Sequence, residues 1–310
     1  MVRLTRGITR GALLRLGGGS ALALGVMAAL AISAWAAEPQ PWQLNFQPPA
    51  TPVQQRIEEF HNGLWPPGLL VITTLITIFV LGLLLYVMVR FHHSRNPVPT
   101  RTSHNAVVEI LWTVVPVLIL VAIAIPSFKL MYYMDRVPNA DMTIKVTGNQ
   151  WFWSYEYPDQ GGFRFDSNLI PEKDLKPDQK RLLDVDNPLV VPVGATVRVQ
   201  ITGVAEGVIH SWFVPSFGVQ EYAVPGRLNE SWFQVERPGA YYGECNQICG
   251  VNHAFMPIKV VAVPKPDFEK WLGEAKQKFA AAAPGDRQPD RSEATLAAAK
   301  PADDKSAGNR

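Results

Sequence analysis

Cysteine is scarce in this chain: Cys245 and Cys249 are the only two in 310 residues. Two cysteines allow one disulfide at most and exclude a disulfide framework. No run of Lys and Arg occurs that would track nucleic acid, so no nucleic-acid partner is expected. No acid precedes Glu38, and Arg3, Arg6, Arg10 and Arg15 carry all the charge before it. Charge is also missing from Leu69 to Val89. The average composition therefore hides two unlike halves, a mostly apolar stretch over 64–134 and a charged remainder beyond 135.

The first gap reads as a leader. Four arginines, an apolar stretch from Ala21 to Ile32 and the A-x-A pattern Ala34-Trp35-Ala36 predict a signal peptide over 1–36. An uncleaved anchor is the competing reading, but the apolar stretch is short for a span and small residues come after it. Its loss leaves 25 basic against 27 acidic residues. Export would place the chain beyond residue 36 on the oxidising side of a bacterial inner membrane.

The proline-rich segment 37–63 predicts an external arm leading to a short helix near Ile57. Leu69 to Val89 has the length of a bilayer span, roughly 20 residues, with Trp65 and Tyr86 suited to the two interfaces. A second span is expected from about Ala106 to Met134, with Trp112 at one end and Tyr132 and Tyr133 at the other. Pro116 and Pro126 are tolerable inside it, because bilayer helices re-satisfy freed backbone groups. The linker carries Arg90, Arg95 and Arg101 and no acid, which puts it in the cytoplasm and both ends of the mature chain outside. Glu109 is the one carboxylate in the second stretch. It reads either as a functional intramembrane acid or as a helix-start residue complementing the dipole.

Residues 140–263 have the texture of one β-sandwich. Strand-like runs cover Met142–Thr147, Val190–Thr202, Asn229–Val235 and Ala240–Tyr242, punctuated by Pro192-Val193-Gly194, Pro225-Gly226 and Pro238-Gly239. From Lys265 a short amphipathic helix (Phe268, Trp271, Leu272, Phe279) gives way to an Ala/Pro/Asp/Lys tail, whose composition predicts disorder from about 284.

The chemistry concentrates at Cys245-x3-Cys249-x3-His253-x2-Met256, with His210 upstream. Thiolates, imidazoles and a thioether are soft donors that select copper over magnesium, calcium or manganese. Cys249, His253, Met256 and His210 alone would make a mononuclear blue-copper set. The second thiolate, Cys245, lets two copper ions share both sulfurs, which favours fast electron transfer. A simple disulfide and a structural zinc site compete, but zinc has little use for Met256. In the run Trp151-Phe152-Trp153-Ser154-Tyr155-Glu156-Tyr157, alternation puts Trp151, Trp153 and Tyr155 opposite Phe152. Such a run is usually core, yet one aromatic could stand above a buried redox centre.

The chain resembles subunit II of the haem-copper cytochrome c oxidases over about residues 55–275. The resemblance is carried by Val108-Glu109-Ile110-Leu111-Trp112-Thr113, by Gly148 to Tyr157, by His210-Ser211-Trp212, by Val224-Pro225-Gly226-Arg227 and by the 245–256 loop. It implies a membrane-anchored all-β protein: a two-helix transmembrane hairpin followed by a cupredoxin-like β-sandwich. It also implies a subunit of an aa3-type oxidase and a dinuclear copper A centre. Cys245 and Cys249 would bridge the two copper ions, His210 and Met256 would complete one, and His253 with the Gln247 backbone carbonyl the other. Trp151 matches the tryptophan where electrons arrive from cytochrome c, and Glu109 the acid at the mouth of a proton path into subunit I. Haem and the oxygen-reducing copper would lie in subunit I.

Two departures from the family pattern stand out. The family usually has glutamate where this chain has Gln247, and its side chain helps hold an interface magnesium. A neutral amide is a weaker ligand, so magnesium stays open. Acids for docking cytochrome c are also thinner than usual, with Gly207 and Tyr222 at common acid positions. Residues 140–265 still hold 14 acids against 11 bases, and Glu156, Asp159, Asp166 and Glu206 are the docking candidates. Three alternatives fit less well. A quinol oxidase subunit II lacks the copper ligands, a nitrous-oxide-reducing enzyme adds a propeller and lacks the hairpin, and a membrane-anchored copper chaperone sets its cysteines at a helix.

Overall fold

The computed structural model describes residues 38–64, 67–98 and 100–279. The expected signal peptide, Trp65 and the tail from 284 lie outside the described residues. Helix α1, Pro52–Asn62, begins at Thr51, whose hydroxyl accepts from the Gln54 amide at 3.2 Å while Pro52 presets the first turn.

Helices α2, Leu69–Arg90, and α3, Ala106–Asp135, come next. At 22 and 30 residues they are roughly 33 and 45 Å long, enough to cross a hydrocarbon layer of about 30 Å. Neither contains a buried residue. Helices apolar all round that bury nothing in their own chain need an apolar surrounding from elsewhere. Thr73, Thr74 and Thr77 donate their hydroxyls to carbonyls four residues back, so these polar groups need no water.

Ten strands build two sheets: β1 Met142–Asn149, β2 Phe152–Tyr157, β3 Phe163–Ser167, β4 Leu189–Pro192, β5 Thr196–Gly203, β6 His210–Val214, β7 Val219–Ala223, β8 Asn229–Gln234, β9 Gly239–Cys245 and β10 Pro257–Val263. Their orders are β3-β2-β1-β5-β8 and β4-β10-β9-β6-β7. Strict alternation in β1 and β5 turns Ile144, Val146, Val197, Val199 and Ile201 inward. They meet Trp212, Val214, Tyr241, Ile258 and Val260 from the facing sheet in one core. The expected run Val190–Thr202 is two strands. It breaks after Pro192, so that β4 pairs in parallel with β10 in one sheet and β5 in parallel with β1 in the other. A strand passing between sheets at a Pro-Val-Gly corner is how a sandwich closes its edge.

Helix α4, Lys265–Phe279, packs against β3 at the edge of the first sheet and β4 at the edge of the second. Trp271 and Phe279 lie against an aromatic group in which Tyr157 and Phe163 stack at 4.8 Å and Phe165 and Phe279 at 4.7 Å. Helices and sandwich are joined around Tyr133 in the last turn of α3. Its ring meets Trp232 of β8 edge-on at 5.6 Å, and the Arg56 guanidinium lies 3.6 Å from its centroid. The arm adds a second joint, where the Ala50 amide donates to the Ser216 carbonyl at 2.8 Å and Thr51 Oγ1 to the Phe217 carbonyl at 2.7 Å.

Candidate metal centre

Pairing of β6 with β9 sets Trp212 opposite Cys245, which brings the start of one strand to the end of the other. His210, 35 residues away in sequence, thereby stands beside Cys245. The chain then folds back between β9 and β10 through a short turn at His253–Phe255 and delivers Met256 just before β10.

The donor atoms form one connected group. Cys245 Sγ is 3.8 Å from Cys249 Sγ, 3.9 Å from His210 Nδ1 and 3.3 Å from the Gln247 carbonyl oxygen. Cys249 Sγ is 3.5 Å from His253 Nδ1 and 3.6 Å from Met256 Sδ. The cysteines are free thiols, their sulfurs far beyond the S–S bond of about 2.05 Å. A first-row ion holds thiolate and imidazole donors at about 2.0–2.3 Å, so tetrahedral neighbours on one ion stand about 3.3–3.8 Å apart. Four of the five separations fall in this range and the fifth, Cys245 to His210 at 3.9 Å, lies just beyond it. The His210, Cys245 and Cys249 ligand atoms lie within 4.8 Å of one another and can hold a metal.

The environment fits the same use. His210, Cys245, Cys249 and Met256 are buried, and His210 Nε2 has no hydrogen-bond partner among the described residues. Nδ1, the ring nitrogen that faces Cys245 Sγ, is the one placed to give its lone pair to a metal, with the ring proton on Nε2. Burial, helped by the nearby His253, lowers the His210 pKa to about 4, so the ring is neutral and available as a ligand near neutral pH. Burial, then the neighbouring Cys245, pushes the Cys249 thiol up to about 12. That thiol keeps its proton until a cation displaces it.

Two tryptophans hold the loop. The Trp151 indole donates to the Cys249 carbonyl at 3.0 Å, and the buried Trp153 indole to the Met256 carbonyl at 3.1 Å. Both thus face the donor group, as alternation predicts, with Trp153 enclosed and Trp151 half-buried at the rim. Two glycines make this approach possible. A Cβ on Gly250, whose φ is +121°, would lie 2.8 Å from the Trp151 ring, and one on Gly148 would lie 2.9 Å from the His210 ring. Sequence reasoning placed Trp153 on the same face as Trp151 but gave no role to it, to Gly148 or to Gly250. Their signal was adjacency: Gly250 comes directly after Cys249 and Gly148 precedes the tryptophan run.

The remaining candidates scatter. Glu206 sits in an exposed turn beside Gly148, where the Val204 amide donates to the Gly148 carbonyl, at the end of the sandwich that bears Trp151. Glu156 lies five residues along β2, roughly 16 Å further, and faces Lys145 at 3.8 Å. Asp159 accepts from the Thr143 amide at 2.6 Å and Asp166 from Ser154 Oγ at 2.6 Å. Glu156 and Asp166 are thus diagonal neighbours on the outer face of the β2–β3 pair with Asp159 just past the end of β2, and Glu206 stands apart from these three. Gln247 lines a groove of about 420 Å³ with Ile209, Glu221, Tyr222, Arg227 and Asn229. Glu109 accepts from the Asn105 amide at 3.0 Å while Asn105 Oδ1 accepts from Val107 and Val108, a reciprocal cap at the start of α3.

Two apolar helices carrying a cupredoxin-like sandwich with a sulfur- and imidazole-lined centre define a membrane-anchored, metal-binding all-β protein. Family models agree: residues 142–263 match the cytochrome c oxidase subunit II periplasmic domain and residues 39–130 its transmembrane domain. The chain is similar to the probable cytochrome c oxidase subunit 2 of Rickettsia bellii, 51% identical over 247 residues, 80% of this chain and 89% of that one. It is also similar to cytochrome c oxidase subunit 2 of Arabidopsis thaliana, 47% identical over 239 residues, 75% of this chain and 89% of that one. The crystal structure of the periplasmic domain of cytochrome oxidase subunit II (CoxB) from Bradyrhizobium japonicum aligns with 46% of this chain and 99% of its own, at 51% identity and a TM-score of 0.43. The chain belongs to the cytochrome c oxidase subunit II family, is anchored in a membrane and works in a complex with other oxidase subunits.

Proposed function

We propose that this chain receives electrons from cytochrome c at a dinuclear copper A centre. It hands them to the haem of subunit I in an aa3-type oxidase, where oxygen is reduced to water and protons are pumped. The observation behind this reading is the donor group itself: two thiols 3.8 Å apart, each flanked by an imidazole, with a thioether and a carbonyl completing the set. Cys245 and Cys249 would bridge, His210 and Met256 would serve one copper, and His253 and the Gln247 carbonyl the other. When bound, such a pair accepts and releases one electron at a time.

The protein's own part is positioning. Trp151 and Trp153 fix two loop carbonyls, so the donor geometry does not relax when the charge changes. Burial of His210 and both cysteines excludes water, which keeps solvent reorganisation small. Trp151 links the rim to the Cys249 backbone by one hydrogen bond and is the arrival point for electrons. Among the docking acids, Glu206 lies in the turn whose Val204 amide donates to the Gly148 carbonyl, three residues before Trp151. Glu109 would offer its carboxylate to a proton path from the cytoplasmic side once its cap opens. The copper domain would face the periplasm of a bacterial inner membrane. Gln247 brings no charge to a magnesium, and none enters the proposal.

The test uses the assembled oxidase carrying Trp151→Leu. Oxidation of cytochrome c is expected to slow about tenfold or more, a barrier of about 1.4 kcal/mol or greater, with copper content unchanged. Unchanged turnover at full copper loading would contradict Trp151 as the arrival point.

A further inference from the structure

The arm before α1 carries a ridge that is largely uncovered. Trp42, Leu44 and Phe46 alternate with Gln43, Asn45 and Gln47, and Trp42 and Leu44 are 95% and 102% exposed. The segment is nevertheless held at both ends. Glu38 pairs with Lys180 at 2.9 Å, and Asn45 Oδ1 accepts from Asn62 Nδ2 at 3.0 Å. Between them the chain turns at Gln40-Pro41-Trp42-Gln43, where the Gln43 amide donates to the Gln40 carbonyl. Pro41 occupies the position proline favours in a type II turn, and Trp42, with φ +59°, occupies the one that favours glycine. A bulky residue in left-handed backbone is an outlier that a fold retains where the side-chain direction has a use.

The ridge's height in the molecule identifies that use. Phe46 meets the His61 ring edge-on at 5.0 Å. His61 is itself at the head of α2, since a Cβ on Gly68 would lie 2.6 Å from its carbonyl oxygen. Phe46 therefore stands level with the end of a membrane span, and Leu44 and Trp42 lie within about 7–13 Å of it along an extended chain. No charged residue occurs from 39 to 55. An uncharged Trp/Leu/Phe ridge with amides on its other face, at the height where a span leaves the bilayer, has the chemistry of the lipid–water boundary.

We infer that Trp42, Leu44 and Phe46 form an interfacial anchor that seats the arm in the lipid headgroup–acyl boundary on the copper-domain side of the membrane. The anchor continues the lipid-facing surface of the spans and is independent of the copper reading. The test keeps the assembled oxidase in its membrane. Leu44→p-benzoylphenylalanine is irradiated and its adducts are weighed, with the same probe at Lys173, an exposed residue of the 168–188 loop, as reference. Lipid adducts several-fold more frequent at 44 than at 173 are expected. Adducts to a polypeptide at 44, or lipid adducts no commoner than at 173, overturn the inference. The probe at Trp42, which keeps an aromatic ring, repeats the comparison if the Leu44 variant fails to assemble.

Discussion

In the sandwich, Trp153, Trp212, Tyr155, Tyr157 and Phe233 are enclosed by the chain itself, whereas α2 and α3 enclose no side chain at all. Both regions are rich in large apolar side chains, yet only one supplies its own partner. Stability of the sandwich is therefore a property of this chain, and that of the helices a property of the bilayer and the other subunits. The metal centre lies wholly on the self-sufficient side. All of its donors come from β6, β9 and the loop between β9 and β10.

A matched pair of truncations separates the two regions most strongly. Phe233→Ala removes a fully buried ring and is expected to cost about 3–5 kcal/mol of sandwich stability. Phe79→Ala, on the exposed surface of α2, should change it by less than about 0.5 kcal/mol. Chemical unfolding of the detergent-solubilised chain, followed by tryptophan fluorescence, measures both. Equal costs would mean that the regions fold as one unit.

Smaller changes probe the joints. Thr51→Ala loses both the cap of α1 and the bond to the Phe217 carbonyl, and about 1 kcal/mol should be lost. Tyr133→Ala removes the edge contact to Trp232 and the platform for Arg56, worth about 0.5–1.5 kcal/mol. It should loosen the helices from the sandwich without lowering copper content, a pattern that protease sensitivity around 136–141 and metal analysis can check.

High pH separates the two regions more gently. Burial, reinforced by Asp184, Glu38 and Asp178, raises Tyr242 from 10.0 to about 12, and burial raises Tyr155 and Tyr157 further. Unfolded phenols ionise first, so the folded state holds more protons between those values and stability falls as pH climbs from 10 toward 12. Tyr242→Phe should make that fall shallower in a pH series of unfolding curves.

Legibility in the sequence tracks the range of the interactions involved. The spans are local facts, since an uncharged run such as Leu69 to Val89 needs no partner to be recognised. Most of the donor group is local too, with Cys245, Cys249, His253 and Met256 inside one loop. His210 joins them only through the pairing of β6 with β9, and Trp153 reaches Met256 across 103 residues. Pro192-Val193-Gly194 signals a break inside Val190–Thr202, but the sheet each half joins depends on parallel pairings with distant strands, which a hydrophobic pattern does not encode. The acids show the same limit. Glu156 is five residues from Trp151 in sequence and Glu206 fifty-five, yet β2 carries Glu156 away from the tryptophan while the parallel pairing of β5 with β1 returns the Glu206 turn to Gly148.

Two thiols 3.8 Å apart are proposed to hold two coppers as one electronic unit. Copper is added to the chain, metal bound per protein is counted, and the electron-spin spectrum is recorded. Two coppers per chain are expected, with hyperfine structure from one unpaired electron shared equally between them. A single-copper pattern at saturation, or a spin-silent protein with a Cys245–Cys249 disulfide, would contradict the account.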